Sequence, residues 1–231
     1  AHQTAWMKTY HPVEFMAALM TFEMSSTEKV AEYREECSAM GIGIEPPSVN
    51  TSEFDFVVEG GTVSGSAGAI AGTTVDSGAP VARLSEPSRD RNGAVLRRGT
   101  IRFGLGAIKG VGEKAVGAVI EARERGGAFR NLFDFCERVD LTAVNKGTIE
   151  ALICAGAFDA TGGMRRALCD AAERAMTVGL ATQRDRRSGQ MALFGGAESS
   201  PTSESSPPML TTAEWPEAEM LAREKAVLGF Y

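Results

Sequence analysis

The sequence predicts a mainly α fold with a small β element. Three observations carry that reading. Apolar residues recur at helical spacing in several segments, each bounded by a capping residue or a glycine. Strand-like alternation is confined to two short stretches, residues 54 to 58 and 100 to 104. Between the patterned segments lie a Gly-rich insert and a Ser/Pro/Gly-rich linker that is expected to be disordered.

The elements follow in chain order. Residues 1 to 10 read as a helix that stops before Pro12, and Pro12 suits the first turn of a second helix reaching about Met24. In SSTEKVAEYREECSAMG, Ser25 and Glu28 have capping-box spacing. Val30, Tyr33, Cys37 and Met40 share one apolar face, and Gly41 can close the helix in a left-handed cap. The run IGIEPPSVNTSEFDFVVEG is extended, with Phe54, Phe56 and Val58 alternating as in a half-buried strand. Residues 60 to 82 hold little bulk to pack, which predicts a flexible or marginally ordered insert. Arg83 to Gly99 is a basic loop with room for a short hairpin, and TIRFGL resumes the strand pattern.

Short helices come next. Glu113 to Arg125 ends at Gly126-Gly127, and Asn131 caps a helix reaching Val139. Ala143 to Ala155 ends at Gly156, and Met164 to about Leu180 follows Gly162-Gly163. The linker is expected from residue 183 to 213, and Glu214 to Leu228 reads as a last helix. The expected units are therefore 1–58, an insert at 59–99, 100–182, the linker at 183–213, and 214–231. Both ends read as cut, so a piece of a longer protein is expected.

The chain of 231 residues is 43% apolar and can bury a core, and its net charge is −6. The charge is uneven. From Arg83 to Arg130 there are eleven basic and five acidic residues, a net +6 that leaves −12 for the rest. A basic middle in an acidic chain fits a polyanion footprint, and it equally fits an Arg-rich solvated surface. Cys37, Cys136, Cys154 and Cys169 form no CxxC pair and, with only His2 and His11, assemble no zinc set. Buried reduced thiols in a cytoplasmic protein are expected. No apolar run approaches a membrane span, and no signal peptide opens the chain, so no membrane partner is expected.

The stretch most informative about function is RFGLGAIKGVGEKAVGAVIEAR, with Gly104, Gly106, Gly110 and Gly112 ahead of a helical run. A dinucleotide site wants GxGxxG, but Gly110 falls one residue late and no second βα unit follows. A P-loop wants Gly-Lys-Ser/Thr, and here the order is Lys109-Gly110. The other geometry is a short helix, a tight turn from Ile108 to Gly112, and a second helix: a helix-hairpin-helix. Gly110 and Gly112 would take positive φ and leave no side chain to block approach. Their N–H groups would point outward at a helix N-terminus, where the dipole favours an anion, with Lys109, Val111 and Lys114 completing the contact. Ile108 and Val111 would face inward, with Val116, Val119 and Ile120 as the apolar side. Such a hairpin grips sugar-phosphate without reading bases. The bland alternative is a glycine-rich turn between packed helices.

Together, residues 1 to 58, the hairpin stretch, FDFCERVD, NKGTIEALICAGAFD and REKAVLGFY resemble the family of bacterial DNA polymerase III alpha subunits. They resemble the region after the palm: the helical end of the fingers (1–58) and the helix-hairpin-helix duplex-binding region (100–182). The insert departs from the family pattern. The resemblance implies that the whole protein is a DNA-directed DNA polymerase, a nucleotidyltransferase using magnesium at a palm site. No Asp-x-Asp pair occurs here, so no catalytic residue, metal site or cofactor is expected in this chain, which should be inactive alone. In the linker, Gln190, Leu193 and Phe194 fit Gln-x-x-Leu-Phe, similar to the peptide by which bacterial replication proteins dock on the sliding clamp. Leu193 and Phe194 would fill an apolar cleft while Gln190 orients the peptide. The alternative is that they tuck onto the protein's own core. NKGTIEALICAGAF could be a degenerate second hairpin using Lys146, or simply a core helix.

The expected partners are therefore primer-template duplex, a sliding clamp and other replicase subunits. The rival readings are a stand-alone adaptor that links DNA to a clamp without catalysis, and a nucleotide-dependent enzyme.

Overall fold

The computed structural model describes residues 2–59, 88–89, 95–96, 99–188 and 213–229. Three helices open it: α1 (His2–Tyr10), α2 (Pro12–Phe22) and α3 (Thr27–Ala39). Ser26, not Ser25, caps α3; its side chain accepts from the Lys29 N–H, so the third helical position is a lysine and no capping box forms. Gly41, at φ +73°, ends α3. The Gly41 N–H donates to Ser38 and the Ile42 N–H to Cys37, the Schellman pairing.

That cap turns the chain into β1 (Gly43–Glu45), which the sequence pattern did not single out. The sheet has the order β1, β5 (Thr100–Arg102), β2 (Val57–Glu59). Ile101 sits at its centre, opposite Ile44 in the parallel pair and Val58 in the antiparallel pair. The expected strand at 54 to 58 is displaced towards its C-terminal end. The backbone of Glu53 and Phe54 instead accepts from the Leu105 and Gly106 N–H groups, outside any strand ladder. Arg102 clamps β5 to β2 with two parallel bonds to the Glu59 carboxylate, both 2.8 Å. That fork holds the Glu59 carboxyl below its ordinary range. Within the basic loop, β3 (Ser88–Arg89) and β4 (Val95–Leu96) pair antiparallel.

The second half is helical: α4 (Glu113–Gly126), α5 (Leu132–Arg138), α6 (Lys146–Cys154), α7 (Arg165–Ser188) and α8 (Glu217–Leu228). Asn131 and Asn145 cap α5 and α6 by accepting from the N–H groups of Asp134 and Thr148. The Asn145 cap starts α6 later than the expected Ala143. The core here is a run of edge-to-face rings, with Phe135 5.0 Å from both Phe129 and Phe158. Gly179 lets α7 lie directly on α5, since a Cβ there would stand 2.4 Å from the Cys136 carbonyl oxygen.

Two boundaries depart from expectation for a common reason. Residues 183 to 188, expected in the linker, continue α7. The Gln183 side chain donates to the free carbonyls of Cys136 and Val139 at the end of α5, 3.0 and 2.8 Å away, so this turn is bonded into the fold. Glu214, expected to begin the last helix, instead caps another one. Its carboxylate accepts from the N–H groups of Arg165 and Arg166 at the start of α7, and from Trp215. Partial burial opposes its ionisation, yet these backbone donors prevail and its pKa is lowered. The cysteines also divide. Cys37 and Cys136 are buried as expected, whereas Cys154 and Cys169 are only partly so. No helix among the described residues is long and apolar enough to cross a membrane.

Candidate nucleic-acid interface

The four glycines of the hairpin stretch do three different jobs. Gly104 and Gly106 serve packing. Cβ atoms there would stand 2.6 Å from the Asp55 and Phe54 backbone and 2.7 Å from the Phe54 ring. This close approach replaces the first helix of the expected hairpin by one 3-10 turn, Leu105–Ala107, bonded to residues 53 and 54. Gly110 serves the turn. It is the positive-φ residue, at +88°, between the buried Ile108 and Val111. Gly112 does neither. Its φ is −87°, correcting the expectation of a second left-handed residue, and a Cβ there would meet nothing within 4 Å. What its missing side chain leaves open is the space in front of α4.

The turn is seated from behind. The Lys109 N–H donates to the Val227 carbonyl of α8 at 2.9 Å, and the Gly110 carbonyl accepts from the Thr148 hydroxyl of α6 at 3.3 Å. Neither partner carries a signal in the sequence, because each is brought in from more than thirty positions away. In front, Lys109, Gly110, Gly112, Glu113 and Lys114 are exposed. Gly112 is the N-cap of α4 and supplies no side-chain cap. The N–H groups of Gly112, Glu113 and Lys114 accordingly find no acceptor among the described residues. The first turn of a 14-residue helix thus presents open donors and the positive end of its dipole beside two lysines, partly offset by Glu113.

Among the described residues, the cations of the basic middle from Arg102 to Arg130 fall into two populations. Arg102 is held by Glu59 and the Pro46 carbonyl, and Arg123 by the Ser52 carbonyl at 2.8 Å and Glu53 at 2.5 Å. Arg125 pairs with Glu121 along α4, and Arg130, just ahead of α5, pairs with Asp134 in its first turn. Lys109 and Lys114 have no ion pair or side-chain hydrogen bond among the described residues. Lys146 is engaged: its ammonium lies 2.9 Å from Glu173, and Thr148, Ile149, Ala151, Leu152 and Ile153 behind it are buried. The segment NKGTIEALIC is therefore built as a core helix. Gln190, Leu193 and Phe194 lie outside the described residues, as does most of the 59–99 insert. Among the described residues no group of three His, Cys, Asp or Glu could hold a metal ion.

The model for the helix-hairpin-helix motif matches residues 41–168, more than half of the chain and the whole of this site. The chain belongs to the helix-hairpin-helix family. All of it is also similar to part of DNA polymerase III subunit alpha from several bacteria. Identity is 37% to the Vibrio cholerae protein, 34% to that of Escherichia coli K12 and 37% to that of Thermus aquaticus, with 100% of this chain covered each time. The chain spans 17%, 17% and 15% of those proteins. Both likenesses include the hairpin from Lys109 to Lys114.

The division of labour among the glycines has a direct test. Gly110→Ala is expected to lower stability by about 1–2 kcal/mol, since alanine resists φ > 0. Gly112→Ala is expected to change it by less than about 0.5 kcal/mol. Urea denaturation of the two variants checks both, and equal midpoints would contradict the assignment.

Proposed function

We propose that this chain is the duplex-binding part of a replicative DNA polymerase alpha subunit. The hairpin from Lys109 to Lys114 grips the sugar-phosphate backbone of the primer-template duplex and is indifferent to base sequence. The observation that carries the reading is the exposed first turn of α4, with three open N–H donors and two unpaired lysines among the described residues. Likeness along the whole chain to DNA polymerase III alpha subunits supports duplex DNA as the anion. Nucleotidyl transfer, with its magnesium ions, belongs to a palm outside these 231 residues, and the chain has no catalytic residue of its own.

The test is binding to a labelled primer-template duplex across a salt series. Two or three phosphate contacts give a slope of log K against log salt of about −2 to −3, the same for unrelated sequences. No binding at low salt, or strong preference for one sequence, would overturn the reading.

Gln190, Leu193 and Phe194 form a peptide that docks on the sliding clamp, and other replicase subunits assemble around the whole protein. Docking holds the hairpin near the primer end, where high effective concentration makes a weak backbone grip sufficient for processive synthesis. Leu193→Ala with Phe194→Ala is expected to reduce clamp affinity at least about tenfold by removing both apolar anchors. Duplex binding should stay unchanged. Clamp capture that survives both substitutions would refute the docking role.

A further inference from the structure

Behind the hairpin, a cavity of about 810 Å3 opens between α6, α7 and α8. Two of its lining residues are cysteines from different helices: Cys154, the last residue of α6, and Cys169, in the second turn of α7. Their thiols are in hydrogen-bond contact. Arg223 of α8 faces them, its guanidinium stacked on Trp215 at 4.2 Å and paired with Glu219 at 2.8 Å. Both cysteines are partly open to the cavity, unlike Cys37 and Cys136.

We infer that Cys154 and Cys169 form a redox-active dithiol, with Cys154 as the attacking thiolate, Cys169 as the resolving thiol and peroxides as the oxidant class.

The surroundings suit that role. The hydrogen bond from Cys169 draws the Cys154 thiol below its ordinary value, and the Arg223 guanidinium adds to it, against desolvation and the Glu150 carboxylate. The carbonyls that end α6 do not aim unsatisfied negative charge at the sulfur. Cys154 O accepts from Arg165, and Leu152 and Ile153 O accept from the Ala157 and Gly156 N–H groups. Burial pushes Cys37 up to about 11 and Cys136 up to about 12, so those two stay protonated and inert.

The steps balance. The Cys154 thiolate attacks one oxygen of hydrogen peroxide. An S–O bond forms, the O–O bond breaks, and the departing hydroxide leaves as water after taking a proton. The sulfur gives up two electrons and becomes a sulfenic acid. Cys169 then attacks that sulfur. An S–S bond forms, the S–O bond breaks, and the hydroxyl leaves as water with the Cys169 proton. Two thiols and one peroxide give one disulfide and two waters. The cavity also shares walls with the hairpin seat: Ala151 lies beneath Gly110, and Val227 holds the Lys109 N–H. The bond would therefore form directly behind the DNA-binding turn.

The test uses the purified native protein. Brief iodoacetamide labelling, read by peptide mass mapping, is expected to modify Cys154 at least about tenfold faster than Cys37 or Cys136. Hydrogen peroxide followed by non-reducing digestion should yield a Cys154–Cys169 cross-linked peptide that dithiothreitol dissolves. Cys169→Ser should divert Cys154 to a dimedone-reactive sulfenic acid, and Cys154→Ser should give neither product. Labelling of Cys154 no faster than of the buried cysteines would overturn the inference. So would peroxide treatment of the wild-type protein that leaves both thiols free or over-oxidises Cys154 without the cross-link. The wild-type measurements depend on no variant's folding.

Discussion

Phe135→Ala is expected to destabilise the protein by about 4 kcal/mol, the middle of the range for removing a buried ring. Phe135 is fully buried, and its ring meets those of Phe129 and Phe158 edge to face at 5.0 Å each. Alanine would lose the transfer free energy of the ring and leave a void whose walls cannot close. The backbone of Phe129 is fixed by a reciprocal pair with the Asn50 side chain, its N–H donating at 2.7 Å and its carbonyl accepting at 3.0 Å. Ala157, next to Phe158, is held by the Schellman pairing after α6, and its carbonyl accepts from the Val49 N–H at 2.9 Å. The stack thus fastens the 48–52 turn to α5 and to the end of α6, joining the sheet to the helices that seat the hairpin. Urea denaturation followed by far-UV circular dichroism measures the loss. Phe22→Ala is the control: Phe22 is 81% exposed, so a change below about 0.5 kcal/mol is expected. Equal midpoints for the two variants would show that the stack is not the tie we take it to be.

The parts of this fold legible in the sequence are those whose cause is local. Asn131 and Asn145 cap helices through donors three residues on, and Gly41 ends α3 through carbonyls a few residues back. What the sequence hid are features whose cause is distant. Gly43–Glu45 becomes a strand only because β5, more than fifty residues later, offers a parallel edge. Glu214 reads as the start of a helix, yet its carboxylate belongs to the N-terminus of α7, forty-nine positions back.

The candidate site follows the same rule. That a glycine hairpin precedes α4 is readable from spacing. The sorting of its charges is not, because Arg102 and Arg123 resemble Lys109 and Lys114 until Glu59 and Glu53 arrive from another segment. Gly104 and Gly110 are likewise indistinguishable on paper. Only the approach of residues 54 and 55 makes the first a packing glycine rather than a turn glycine.

That sorting sets the second large expectation. Lys109→Glu combined with Gly112→Val should weaken duplex binding by at least about thirtyfold at low salt, equally for all sequences. Two effects add. Reversing the charge at Lys109 removes one attractive contact, installs a repulsive one, and should make the salt slope shallower by about 1 or more. Valine at position 112 puts a branched side chain into the open space before three N–H donors, so a phosphate oxygen can no longer reach hydrogen-bond distance. The fold should hardly notice either change. Gly112 has an ordinary negative φ, and the bond from residue 109 to Val227 is made by the backbone. Retained stability with lost binding therefore separates a phosphate grip from a packed turn, since a turn built only for packing would leave affinity unchanged. Arg102→Gln supplies the contrast. It deletes a cation of the same basic segment, but one spent on Glu59, so stability should fall while the salt slope stays where it was. A slope that responds to Arg102 and ignores Lys109 would move the DNA contact away from the hairpin altogether.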